Sequence, residues 1–87
     1  MKFKPGDIVV PNQNSKHARQ LSPYKPFYGC DAWDSRGNLV WFAAGDFGFV
    51  IERIDSMVFK TLVRVLDVCV GQEIEVFESD LILAEIQ

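Results

Sequence analysis

Ser22 to Ile54 reads SPYKPFYGCDAWDSRGNLVWFAAGDFGFVIERI, and this stretch decides the fold. Tyr24, Phe27, Tyr28, Trp33, Trp41, Phe42, Phe47 and Phe49 are interleaved there with turn-forming residues. Aromatic and β-branched side chains suit a pleated, half-buried surface, and clusters of Gly, Asn, Asp and Ser reverse the chain. The pattern predicts two or three strands with tight reversals. They carry more aromatic surface than one face of a small sheet can bury.

Residues 27–43 predict a β-hairpin. Phe27 to Trp33 has strand composition around Cys30 and Ala32, Asp34-Ser35-Arg36-Gly37-Asn38 is a dense turn cluster, and Leu39 to Ala43 returns. The glycine supplies a positive φ at no steric cost. Ala44-Gly45-Asp46 reverses the chain again, and Phe47 to Ile54 forms the next strand. Gly48 inside that strand predicts a bulge or a close approach of backbone.

On the N-terminal side, Pro5-Gly6 is a turn dipeptide, and Asp7 to Val10 reads as a short strand with Ile8 and Val10 inward before Pro11 ends it. Residues 12–26, NQNSKHARQLSPYKP, are polar and aperiodic. Two readings stand for them: a long surface loop, or a short helix over 16–21 capped by Ser15. On the C-terminal side, Val58 to Leu66 alternates, with Thr61, Val63 and Val65 on one face. Gly71-Gln72 turns, and Glu73 to Phe77 alternates with Ile74 and Val76 inward. Ser79-Asp80-Leu81 predicts a 3-10 step, and Leu81 to Ile86 closes the sheet. Strands and turns at this spacing, with hardly any helix, indicate an all-β barrel or sandwich.

A chain of 87 residues makes one domain, and 48% apolar residues suffice for one core. No apolar run approaches the roughly 20 residues that span a bilayer, and the basic start lacks the apolar stretch of a signal peptide. Cytoplasmic residence is the expectation. Cys30 and Cys69 are expected to be small buried hydrophobes rather than a bridge. With His17 as the one histidine and no C-x-x-C pair, neither a metal nor a cofactor is expected. The net charge of −3 is unevenly spread: residues 1–28 carry +4 and residues 29–87 carry −7. A nucleic-acid binder usually shows a basic footprint, and here only the N-terminal third supplies one.

Three pieces stand in a familiar order: Lys4-Pro5-Gly6-Asp7-Ile8-Val9-Val10, then Gly48-Phe49-Val50-Ile51-Glu52-Arg53-Ile54 after a long insertion, then Leu62-Val63-Arg64-Val65-Leu66 leading to Glu78-Ser79-Asp80-Leu81-Ile82-Leu83. Together they resemble the SH3-like small β-barrels, including KOW-type domains and the many short phage and bacterial proteins built on such a frame. The resemblance covers about half the chain and implies a fold rather than a role, since such barrels host many functions. It implies an SH3-like barrel of five to six antiparallel strands over residues 1–87, with an aromatic β-hairpin and a long polar loop inserted at about 12–46. Such an insertion departs from a KOW-type domain, and the aromatic first-loop motif of a proline-peptide binder is not matched. No family site is therefore carried over.

For chemistry, Asp31, Asp34 and Asp46 at the hairpin ends read as turn-forming rather than acid/base groups, and His17 has no recognisable nucleophile motif beside it. No catalytic residue is expected. Phe49, Phe77 and Trp41 are assigned to the core. Tyr24, Phe27, Tyr28, Trp33 and Phe42 are expected to be partly exposed, with an interface role and a core role both open. The leading expectation is a non-enzymatic protein–protein interaction module, self-association included, of the kind a phage-type accessory protein would use on a host or viral factor. The alternative is a nucleic-acid-binding barrel using Lys16, Arg19 and Lys25, with neighbouring aromatics stacking on bases.

Overall fold

The computed structural model describes residues 3–13, 18–20, 27–55 and 61–84, the side chains of 18–20, 27 and 28 excepted. The elements are β1 (Ile8–Pro11), β2 (Ala18–Gln20), β3 (Phe27–Asp34), β4 (Leu39–Ala43), β5 (Gly48–Ile54), β6 (Leu62–Asp67), β7 (Gln72–Phe77), a 3-10 turn (Glu78–Asp80) and β8 (Leu81–Leu83). All pairings are antiparallel, along the path β2-β3-β7-β6-β5-β1-β8, with β4 beside β3. The sheet curls into a half-barrel. No helix among the described residues is long and apolar enough to cross a membrane.

The all-β class holds, but the expected five to six strands is corrected to seven along this path, with β4 attached to β3. Two features account for the difference. Residues read as loop or helix contain β2, which pairs with the start of β3. The β3–β4 hairpin, expected as an insertion, is also part of the main sheet, because Trp33 and Asp34 pair with Glu75 and Ile74 of β7. β3 pairs with β4 along Gly29 to Trp33, so β2 and β7 must share its other edge.

Local chemistry shapes the reversals. At the hairpin tip the Asp34 carboxylate accepts from the backbone N–H of Arg36 and of Asn38, both at 2.9 Å. These bonds hold the Asp34 pKa below its ordinary value, the bond from Asn38 contributing most. The first turn is similar: Lys4 N–H donates to Asp7 Oδ2 at 2.8 Å, and Gly6 N–H donates to the Val50 carbonyl at 2.8 Å. Gly48 is where backbones meet. A Cβ there would lie 2.2 Å from Val65 Cγ1 and 2.9 Å from the Leu66 carbonyl oxygen, so β5 and β6 need glycine at that point.

The inner face carries Phe3, Val9, Ala32, Phe42, Val50, Val63, Val65, Ile74, Val76 and Leu81. Several sequence expectations change phase here. Val9 and Pro11 of β1 are buried, whereas Ile8 and Val10 are half-buried, because Val9 lies opposite Gly48 and Leu83. Phe42, expected to be partly exposed, is 0% exposed, whereas Trp41 and Phe49, expected in the core, are 39% and 38% exposed. The register explains it. Phe42 sits opposite the buried Cys30, which places Trp41 and Leu39 on the outer face with Asp31 and Trp33. Phe77 is half-buried, and its β7 neighbours Ile74 and Val76 take the inner positions as expected.

Cys30 is buried as expected, but Cys69 is exposed, and both are free thiols. The Cys30 thiol donates toward the carbonyls of Asn12 and Asp80 at 3.6 and 3.7 Å. Burial first, and then the charge of Asp80, push its pKa up to about 11, so it ties β3 to Asn12 after β1 and to Asp80 before β8 as a neutral group. The 3-10 step appears at Glu78–Asp80. The expected strand over 58–66 is seen as Leu62–Asp67 and the last one as Leu81–Leu83, the remainder of each expectation falling largely outside the described residues.

This assignment separates neighbours in one strand. Phe42→Ala should lower stability in urea unfolding by about 3–5 kcal/mol, the usual loss for emptying a buried phenylalanine site. Leu39→Ala, three residues earlier on the outer face, should stay within about 0.5 kcal/mol of the parent. Equal losses would contradict the register.

Candidate interaction surface

Cross-strand partners share a face of a sheet, so the register lays out the exterior row by row. One row runs Leu39, Trp33, Glu75, Arg64, Glu52 across β4, β3, β7, β6 and β5. The next holds Phe77, Leu62 and Ile54. The Trp33 and Phe77 rings meet edge to face, with centroids 5.2 Å apart and planes at 81°. They line a depression of about 320 Å3 with Gly37, Leu62 and Glu75. Leu39 and Trp41 stand exposed on β4 beside it. Arg64 bonds both Glu52 and Glu75, so two carboxylates share one guanidinium and this row remains acidic.

Of the residues expected to form a partner surface, Trp33 is on this face and half-buried, and Phe42 is removed to the core. Phe27 and Tyr28 lie in β3. Their side chains, like Tyr24, fall outside the described residues. Arg19 lies in β2, and Lys16, Lys25 and His17 fall outside the described residues. Sequence reasoning missed Leu39, Trp41 and Phe77 as surface residues. The signal that finds them is pairing, since β4 reads Leu-Val-Trp-Phe-Ala and has no internal polar alternation.

A second apolar area lies on β1, β5 and β8, where no interface was expected. Ile82 pairs with Val10, and Ile8 with Phe49 and then Leu66, all on the face opposite the buried Val9, Val50 and Val65. The Phe47 ring meets that of Phe49 edge to face at 6.3 Å. Phe47, Val10, Ile82 and Ala44 also line a cleft of about 380 Å3 between the β4–β5 turn and the β1–β8 pair.

Under that cleft is a third constellation. Asp46, a turn residue by its sequence, joins Asp67 and Cys69 with donor atoms within 4.8 Å of one another. Asp31 and Asp34 do not join it. Asp67 is 1% exposed at the end of β6 and accepts from the Cys69 N–H at 3.1 Å. Burial first, then the charge of Asp46, raise its pKa. The Cys69 thiol feels opposing influences. A backbone hydrogen bond from Phe47 favours the thiolate, while a bond to Asp46, burial and the two carboxylate charges disfavour it, and the net shift is upward. A raised thiol is a poor nucleophile at neutral pH. As a metal set, two carboxylates and one thiol fall one donor short of a closed tetrahedral site among the described residues.

No family model, curated protein or solved structure matches the chain.

The Asp67 arrangement has a pH signature. A carboxyl whose pKa is raised by folding destabilises the fold once ionised, so the penalty is absent below its unfolded pKa and grows as pH rises through the folded one. Asp67→Asn keeps an acceptor for the Cys69 N–H and gives Asp46 a permanent donor. It should raise the urea midpoint at pH 7, with the gain shrinking toward about pH 4, near the ordinary carboxyl pKa. A loss of stability at pH 7, or a gain independent of pH, would contradict the assignment.

Proposed function

We propose that this protein is a non-enzymatic binding module that recognises another protein through the outer face of the inserted hairpin. The observation that carries this reading is the Trp33–Phe77 pair lining a depression, flanked by exposed Leu39 and Trp41. Aromatic side chains at the centre of a contact are the usual source of binding energy, and a shallow apolar depression accepts an anchoring side chain from the partner. The face is built on paired strands, so its geometry is set before binding and little ordering cost remains.

An SH3-like frame underlies the proposal. The sub-order β8-β1-β5-β6-β7, with a 3-10 turn joining the last two strands of the chain, supports it. On that reading β2, β3 and β4 are the added element that gives this chain its own surface. The nucleic-acid alternative draws on Lys16, Arg19 and Lys25. The shared-arginine row of Glu52 and Glu75, beside the aromatic depression, weighs against a phosphate backbone crossing this face.

The test uses residues that hold no core position. A Leu39→Ala/Trp41→Ala variant should keep the parent circular dichroism and unfolding midpoint, yet bind the captured partner about 30-fold more weakly, or about 2 kcal/mol. Retention of full affinity by a folded variant would place recognition elsewhere.

A further inference from the structure

We infer that the apolar face formed by β8, β1, β5 and the start of the β6–β7 turn is the contact between two copies of this chain. Four of its residues are well exposed: Phe47 and Phe49 at 39% and 38%, Val68 at 38% and Ile82 at 43%. Half-buried Ile8, Val10 and Leu66 fill the gaps between them. The patch is continuous. Ile82 pairs with Val10, Ile8 pairs with Phe49, Phe47 touches Phe49 ring to ring, and Val68 N–H donates to the Phe47 carbonyl at 3.1 Å.

Charge selects the occupant. From Ile82 across to Leu66 these paired rows hold no ionisable side chain, and the charges at their margins are half-buried Asp46, which lines the cleft beside Phe47, and Glu73 opposite Leu66. Residues 29–87 carry −7 overall, so two copies approaching through most of this part of the surface would bring like charges together. Face to face at this patch the paired rows bring none together, and Asp46 stays at the margin. Such a contact is isologous: each copy presents the same stripe, with Phe49 near the twofold axis. Two sheets stacked this way sit about 10 Å apart, with their outward side chains interdigitated.

The area agrees. Taking about 150–200 Å2 for each fully exposed large apolar side chain, the patch shows on the order of 400 Å2 of apolar surface. Homodimer contacts are about 65% apolar, which scales this to roughly 600 Å2 per copy. That lies at the lower end of specific interfaces, which bury about 600–1,000 Å2 on each partner. The structure therefore suits a reversible dimer. It does not use the Trp33 and Trp41 face, so each copy retains the surface assigned above to a different protein.

Sedimentation of the full chain from about 5 to about 500 μM tests this, a range that brackets micromolar association. The weight-average mass should rise from the 9.9 kDa of one chain toward twice that value. Phe49→Glu should remain monomeric throughout while folded by circular dichroism, and Trp41→Ala should dimerise like the parent. Should Phe49→Glu lose its fold, Ile82→Thr serves in its place and should weaken dimerisation at least tenfold. A parent that stays monomeric at the highest concentration overturns the proposal. So does dimerisation that Trp41→Ala abolishes and the frame variants leave intact. The hairpin reading is tested separately, since loss of partner capture by Trp41→Ala does not depend on dimer formation.

Discussion

The structure depends on the two edges of β3. One edge is covered by β4, and the other is divided between β2 at its start and β7 at its end. That division is what makes the β3–β4 hairpin a part of the sheet. Once Trp33 lies opposite Glu75, every later pairing has its phase fixed, because a shift of one residue would exchange the inner and outer faces of the hairpin. Phe42 and Ala32 then complete the core alongside Val9, Val65 and Val76. The buried Cys30 thiol, reaching the carbonyls of Asn12 and Asp80, ties the same strand to the residue after β1 and the residue before β8.

Two outward consequences follow from one packing solution. The sheet fills its interior with medium-sized side chains, mostly valines, and with Phe3 and Phe42 as the large ones, so among the described residues most of the remaining aromatic surface faces outward. It gathers in two places: around Trp33 and Phe77 on the hairpin side, and around Phe47 and Phe49 on the frame side. A monomer gains little from either. Exposed apolar area in contiguous patches generally marks contact with another macromolecule, and the acidic remainder of residues 29–87 keeps that contact selective. The buried Asp67 beneath the frame-side patch adds a local cost at neutral pH. It is offset by the hydrogen bonds that hold the β6–β7 turn under Phe47.

The turns were legible because their chemistry is local. Asp34, Gly37 and Asn38 specify the hairpin tip whatever else the chain does, and Pro5-Gly6-Asp7 likewise determines the first reversal. β7 was legible because its acids alternate with Ile74 and Val76. The phase of β4 and β5 was not. Leu39-Val40-Trp41-Phe42-Ala43 is apolar at every position, and Phe47 to Ile51 nearly so, so period-two alternation has nothing to report and distant pairing decides which aromatics face in. Trp41 reads as core and Phe42 as partly exposed, with a core role open, whereas the register buries Phe42 and turns Trp41 outward. β2 was hidden because Ala18-Arg19-Gln20 carries no strand pattern of its own and is a strand through its pairing with β3. Asp67 was hidden because an aspartate at a strand end reads as a turn residue.

The division of the aromatic side chains between the two faces is the central claim, and solvent paramagnetic relaxation of ring protons in dilute protein measures it directly. With a soluble gadolinium chelate, the Phe42 ring should be nearly unaffected, while Trp41, Phe47 and Phe49 relax strongly and Trp33 falls between. Strong relaxation at Phe42 together with protection at Trp41 and Phe49 would mean that the hairpin and β5 are in the opposite phase, and both proposed contact faces would be lost with it.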